Sequence, residues 1–139
     1  MPERKTLERA RQDKREGKAP SKQAGEFVRE EIEHVREGKH GARSTKQAIA
    51  IGLSKARRAG VKLKAPRPGQ ASERTRQSVA RDDRTGRARS RKRPSAKRSR
   101  ASLRALQREP ASTTSTQALS KQARSAARRR RPRAKAAGR

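Results

Sequence analysis

Cysteine, tryptophan and tyrosine are absent from the sequence, and Phe27 is its one aromatic residue. The lack of cysteine excludes disulfide bonds and thiolate metal sites, and it fits a reducing cytosol. With Phe27 as its one aromatic side chain, expected in the core, the chain offers no platform on which the bases of single-stranded nucleic acid could stack. No apolar run approaches the roughly 18 residues of a membrane span, and the N-terminus lacks a signal-peptide core. We therefore expect a cytoplasmic protein without a membrane partner.

Large apolar residues are also scarce. Leu, Ile, Val and Phe together number 14 of the 139 residues, about 10%, whereas disorder is expected below roughly 20% in a highly charged chain. This scarcity predicts an all-α protein in which a short antiparallel helical hairpin carries a long, largely disordered basic C-terminal tail. The hairpin is expected at 21–63, after a basic N-terminal segment at 1–20 and before a disordered basic linker at 64–97.

Acidic residues are few, with 13 Asp or Glu against 42 Lys or Arg and a formal net charge of +29. The imbalance is uneven, because residues 1–65 carry a net charge of +9 and residues 66–139 a net charge of +20. The change coincides with two helix-stopping prolines in the run 66–69. A chain this positive repels itself until a polyanion neutralises it, and nucleic acid is the commonest polyanion in a cell. Nucleic acid is therefore the predicted partner.

Two segments of the first half have a helical period. The first, at 22–37, places Ala24, Phe27, Val28, Ile32 and Val35 on one stripe, with Ser21 as cap and Gly38 as stop. The second, at 45–59, begins at a Ser/Thr cap and ends before Gly60, although its apolar run at 48–53 also suits a strand. Its small residues at 48, 52 and 56 form a ridge that lets another helix approach closely.

The predicted core of the hairpin joins these two stripes and consists of Phe27, Val28, Ile32, Val35, Ile49, Gly52, Leu53 and Ala56. Such a core is small, because domains below about 40 residues usually need additional packing. Either the basic segment near Leu7 packs on the hairpin, or two chains pair as a homodimer.

The tail at 98–139 contains two candidate helices, at about 99–109 and 116–131. The second repeats an order of residues found in the hairpin, namely Ser-Thr, Gln-Ala, Leu-Ser-Lys and Ala-Arg. Two interpretations stay open: a second, degenerate helix pair near 99–131, or a chance match between Ala/Arg/Ser-rich segments.

Basic runs in the second half are typical of tails that bind phosphate by counterion release. The second hairpin helix adds a polar face, which is either a recognition surface resembling half of a helix-turn-helix or an ordinary solvated face. The predicted nucleic-acid-binding residues are Lys46, Arg57, Arg58, Arg87, Arg89, Arg91, Lys92, Arg93, Lys97, Arg98, Arg100, Arg128, Arg129, Arg130 and Arg131.

Catalysis has little support in the sequence. His34 follows Glu30 by four residues beside other carboxylates, and His40 lies in the link between the helices. Two histidines with carboxylates suit a metal, but a helical Glu/His pair is more often a surface ion pair. No phosphate-binding glycine loop or nucleophile elbow is present. We expect no enzyme activity, no metal or other cofactor and no small-molecule substrate.

The segments 23–31, 38–43 and 47–60, the last reading QAIAIGLSKARRAG, resemble a family of small basic bacterial proteins of unknown function. The resemblance is close over 5–63 and looser over 98–131. It implies a bacterial source, a helical segment joined to an Arg/Ala/Ser-rich tail, and no known enzymatic activity. Some members are labelled DNA-binding, and the resemblance supplies no binding residues.

Composition and resemblance together predict a nucleoid-associated protein that binds duplex DNA without strong sequence preference. One alternative is an RNA- or ribosome-associated accessory protein. Another is a hairpin that binds a protein partner while its tail tethers it to nucleic acid.

Overall fold

The computed structural model describes residues 2–88 and 95–137, with side chains described as far as Arg130. Within these residues six α-helices follow one another: α1 (Arg4–Arg15), α2 (Pro20–Arg36), α3 (Thr45–Arg58), α4 (Glu73–Arg87), α5 (Ala96–Gln107) and α6 (Thr116–Ala137). A 3₁₀ turn at Ser112–Thr114 precedes α6. Apart from an isolated bridge between Pro68 and Ala71, this part of the chain has no β-structure. None of its helices has an apolar stretch of the length that a membrane span requires.

Helices α2 and α3 form the centre of the fold as an antiparallel pair. Val35, near the end of α2, packs with Ala48 at the start of α3, whereas Phe27 packs with Ala56 near the end of α3. Between these contacts Gly52 lies against Val28, so closely that a Cβ on residue 52 would be 2.6 Å from the Val28 Cα. Of the predicted core residues, four are buried (Phe27, Val35, Gly52 and Ala56) and four are half-buried (Val28, Ile32, Ile49 and Leu53).

Helix α1 packs on α2 and extends this core within one chain. Ala10 belongs to the buried cluster around Phe27, and Leu7 packs against that cluster. The turn between the helices is held by Lys18, whose Nζ donates to Asp13 Oδ1 at 3.0 Å. The packing near Leu7 is one of the two ways in which the hairpin core could be enlarged, and it requires no second copy of the chain.

The prediction of a short hairpin with a disordered tail is wrong, because α4 lies within the supposed linker and packs on α3. Ser72 caps α4 by accepting a hydrogen bond from Thr75 N at 3.2 Å. Val79 is its one buried residue. Gly86 lets the backbone of α4 meet that of α3, since a Cβ there would lie 2.0 Å from the Arg57 carbonyl oxygen. Because α4 packs through one buried apolar residue and one glycine, its sequence has almost no helical hydrophobic period.

The segment after α5 is also docked on the bundle. Gly41 N donates to Leu106 O at 2.8 Å, and Ala42 N donates to Pro110 O at 3.0 Å. Arg36 Nε donates to the carbonyl of Thr114 at 3.1 Å, and Thr114 is fully buried. Helix α6 then contacts α3, whereas α5 packs against none of the other described helices. The helices at Ala96–Gln107 and Thr116–Ala137 therefore do not form a second hairpin with each other.

Candidate nucleic-acid interface

The polar face of α3 is covered by α4. Arg57 is 8% exposed, its Nη2 donates to Lys64 O at 3.0 Å, and its Nε lies 3.6 Å from Asp83 Oδ1. A guanidinium held by a carbonyl and a carboxylate is not presented to solvent. Arg57 therefore does not lie on a surface that a duplex could reach.

The neighbouring residues of that face meet the other acid of α4. Asp82 accepts hydrogen bonds from Ser54 Oγ at 2.7 Å and from Arg58 Nε at 2.9 Å. Lys46, in the first turn of α3, is exposed. Of the three cations predicted on α3, only Lys46 is thus exposed without an ion pair in the described part of the chain. This arrangement fits a helix–helix contact better than a recognition helix.

The other predicted cations lie on α4, α5 and α6 or outside the described residues. Arg87, Lys97, Arg98, Arg100, Arg128, Arg129 and Arg130 are all exposed. Arg131 continues α6, and Arg89, Arg91, Lys92 and Arg93 lie outside the described residues.

Helix α5 carries a basic stripe, which we define as Lys97, Arg100, Arg104 and Arg108. Their spacings of three and four residues place them on one face of a helix, over a length of about 16 Å. All four are exposed, and Arg108 is the C-cap residue in helical backbone conformation. Leu103 lies beside the stripe and is 44% exposed. Arg104 and Arg108 were missed at the level of sequence, although their spacing from Lys97 is the signal that would have found them.

Helix α6 presents a shorter group of the same kind. Lys121, Arg124 and Arg128 share a face by their spacing and are exposed, whereas Leu119 and Ala126 on the other side are half-buried. The helix thus directs its cations away from the bundle.

Acidic partners are concentrated in the first 83 residues. Every ion pair between described residues joins side chains no later than Asp83. From Arg84 to the end, the sequence holds 20 Lys or Arg and one acid, Glu109. The positive potential of α5 and α6 is therefore not neutralised by neighbouring carboxylates.

In the comparison with known protein families, residues 11–68 match the model of DUF6496, a family of unknown function. No curated protein and no solved structure matches the chain. The match agrees with the sequence resemblance in pointing to an uncharacterised family. The DUF6496 segment runs from within α1 to the loop after α3, so the basic stripe lies outside it.

A cluster of buried ionisable residues lies inside the DUF6496 segment. Glu30 is 3% exposed, Glu31 is 1% exposed and His40 is 9% exposed. Glu30 and His34 do not form the expected surface ion pair. His34 Nε2 instead donates a hydrogen bond to Glu3 Oε1 at 3.0 Å. Glu30 accepts a hydrogen bond from the backbone N–H of Glu3. The hydrogen bond from His34, with a weaker effect of nearby Lys39, holds the pKa of the Glu3 carboxyl below its ordinary value. Glu3 is therefore a carboxylate at neutral pH.

Proposed function

We propose that the protein is a non-enzymatic nucleic-acid-binding protein that contacts the phosphates of duplex DNA through α5 and α6. The proposal rests on the uneven distribution of carboxylate partners along the described chain. Eight Lys or Arg side chains of the first 83 residues form ion pairs with carboxylates, whereas the exposed cations of α5 and α6 form none among the described residues. A phosphate backbone supplies the missing negative charges, and arginine is suited to bidentate phosphate contacts.

Two features favour a duplex bound without base preference. Phe27 is the one aromatic side chain and is 1% exposed, so base stacking of the single-strand type has no support. The polar face of α3, the best candidate for a helix that reads bases, is engaged by Asp82 and Asp83 of α4. Phosphate contacts carry affinity but no sequence information. A protein acting in this way would be located on the nucleoid.

Removing the basic stripe is expected to weaken DNA binding strongly. A variant in which Lys97, Arg100, Arg104 and Arg108 are all replaced by glutamine loses four phosphate contacts. We expect the dependence of log affinity on log salt to become shallower by about 3 to 4, because each contact contributes about one unit of slope. Fluorescence anisotropy with a labelled duplex at several salt concentrations measures the change.

A matched variant controls for the loss of net charge. Replacing Arg9, Arg11, Lys14 and Arg15 by glutamine removes the same number of charges from exposed positions on a different helix, α1. We expect that variant to keep most of the salt dependence. Equal losses in the two variants would mean that net charge alone drives binding and that α5 is not the interface.

A competition experiment at about 150 mM salt, near the physiological screening length, separates the nucleic acids. We expect duplex DNA to displace the labelled duplex better than heparin or structured RNA. Preference for structured RNA would favour the RNA-associated alternative, and indifference among the three competitors would contradict any recognition of duplex geometry.

A further inference from the structure

Three potential metal ligands converge where the link between α2 and α3 folds back on α2. Glu31 lies on α2, His34 follows it by one turn, and His40 lies in the link itself. One ligand atom from each residue lies within 4.8 Å of the others. The three side chains are 1%, 14% and 7% exposed, respectively. The group therefore differs from an exposed acidic cluster in being enclosed and in containing two imidazoles.

The hydrogen bonds of the two histidines define which nitrogens are available. His40 Nδ1 lies 2.9 Å from the carbonyl oxygen of Gly41, and an oxygen acceptor requires that this nitrogen carry the proton. His34 Nε2 likewise carries the proton that it donates to Glu3. In the neutral ring the remaining nitrogens, His40 Nε2 and His34 Nδ1, have lone pairs. Both nitrogens face Glu31, at 3.3 Å from Oε2 and 4.0 Å from Oε1.

The carboxylate between them has an unsatisfied oxygen. Glu31 Oε1 accepts a hydrogen bond from Lys55, but Oε2 is buried and has no hydrogen-bond partner among the described residues. An unpartnered buried carboxylate oxygen is costly. With both rings neutral, Oε2 lies 3.3 Å from the lone pair of His40 Nε2, and the lone pair of His34 Nδ1 lies 4.0 Å from the other oxygen of the same carboxylate. Three electron-pair donors thus lie within 4.8 Å of one another. A cation bound by all three atoms would resolve this arrangement.

We propose that Glu31, His34 and His40 bind a divalent transition metal ion, for which Zn²⁺ is the best match. Two imidazoles and one carboxylate form a known zinc ligand set, with a fourth position left for water. Ligands at 2.0–2.1 Å from a tetrahedral zinc ion are about 3.3 Å apart, and Glu31 Oε2 and His40 Nε2 already have this separation of 3.3 Å. Each histidine also donates its other N–H to an oxygen, as metal-bound histidines almost always do.

The charges around the cluster are compatible with a bound cation. Glu3, Glu30 and Glu31 contribute three negative charges, and Lys39 and Lys55 contribute two positive ones. Lys55 holds the oxygen of Glu31 that points away from His40, which leaves Oε2 for the metal. The ion would fix the link beside Gly41 and Ala42, the residues that hold the segment leading from α5 to α6. The site is thus structural and includes none of the residues proposed to contact DNA.

The test is zinc titration of the untagged full-length chain, followed by isothermal calorimetry in competition with a chelator. We expect one Zn²⁺ per chain and a thermal midpoint raised by at least about 5 °C at saturating zinc, because binding to the native state alone stabilises it. Co²⁺ in place of Zn²⁺ should give the visible absorption bands of a tetrahedral site.

The variants assign the ligands. His40→Gln and His34→Gln should each weaken zinc binding by about 100-fold or more, whereas Glu33→Gln, which removes an exposed carboxylate from the same helix, should not change it. Glu3→Ala lies outside the ligand set at a half-exposed position and should weaken binding about 10- to 100-fold through loss of the hydrogen bond to His34. Because this variant leaves all three ligands and the buried cluster in place, it remains informative if a histidine variant fails to fold.

The proposal is overturned if the wild-type chain takes up zinc weakly and in several equivalents, or if the histidine variants bind it as well as Glu33→Gln does. It is also overturned if saturating zinc leaves the thermal midpoint unchanged. These readouts do not depend on nucleic-acid binding, so failure of the metal site and failure of the DNA proposal are distinguishable.

Discussion

Replacing Gly52 with alanine is expected to destabilise the protein by about 1–3 kcal/mol, although alanine is the better helix former. A Cβ at this position would lie 2.6 Å from Val28 Cα and 2.9 Å from Val28 N. These are backbone atoms, which cannot rotate away, so α2 and α3 must move apart. The separation would loosen the packing of Ala48 with Val35 and of Ala56 with Phe27. Urea unfolding followed by helical circular dichroism measures the change.

The same substitution at Gly25 provides the control. Gly25 lies in α2 and is exposed, and a Cβ on this residue would meet no atom of another segment within 4 Å. Gly25→Ala should therefore stabilise the protein by about 0.5–1 kcal/mol, the ordinary gain of alanine over glycine in a helix. The same change from glycine to alanine is thus expected to lower the free energy of unfolding at position 52 and to raise it at position 25. A stabilising effect at both positions would contradict close packing of α2 and α3 at Gly52.

The α2–α3 pair could be inferred from sequence because its signals are local. The apolar stripe from Ala24 to Val35 has a helical period, and Ser44 caps α3 by accepting a hydrogen bond from Gln47 N at 3.1 Å. The ridge of small residues at 48, 52 and 56 faces α2 in the structure, with Gly52 against Val28. Each of these features depends on residues within a few positions of one another.

The extent of the folded part could not be inferred, because the apolar count misjudged the core. Five of the nine buried apolar residues in the described chain are alanines: Ala10, Ala24, Ala42, Ala48 and Ala56. A count of Leu, Ile, Val and Phe leaves them out. Alanine contributes to a core only where backbones approach closely, and close approach here depends on glycines of distant segments. Gly41, for example, lies against the backbone of Glu109, 68 positions away in the chain.

Ion pairs between distant segments account for what the sequence could not predict at the candidate site. The polar side of α3 predicts that Arg57 and Arg58 bind DNA. In the structure, Arg57 is buried beside Asp83 of α4, and Arg58 is exposed but hydrogen-bonded to Asp82. Glu31 gives no sequence signal of burial, since acidic residues are rarely buried unless paired. Its partner Lys55 is 24 residues away on another helix. Pairing across such separations depends on the tertiary fold and has no local pattern.

Replacing Lys55 with methionine is expected to cost about 3 kcal/mol of unfolding free energy in buffer that contains a metal chelator. Glu31 is 1% exposed, and Lys55 Nζ is its one hydrogen-bonded cation among the described residues. Methionine keeps the length of the side chain but leaves the carboxylate buried without that ammonium. Removing one partner of a buried ion pair costs about 3–5 kcal/mol, and the partial exposure of Lys55 places this case at the lower end.

Three further variants distinguish the lost charge pair from the lost side chain: Lys46→Met, Glu31→Gln and the double variant that combines Lys55→Met with Glu31→Gln. Lys46→Met makes the same change on the exposed side of α3 and should alter stability by no more than about 0.5 kcal/mol. In the double variant, Glu31→Gln removes the negative charge that Lys55→Met leaves unpaired. The destabilisation of the double variant should therefore be smaller than the sum of the effects of Lys55→Met and Glu31→Gln alone. Urea unfolding of the four variants measures this coupling. Additive effects, or a cost for Lys55→Met no larger than that for Lys46→Met, would mean that the ammonium does not stabilise Glu31.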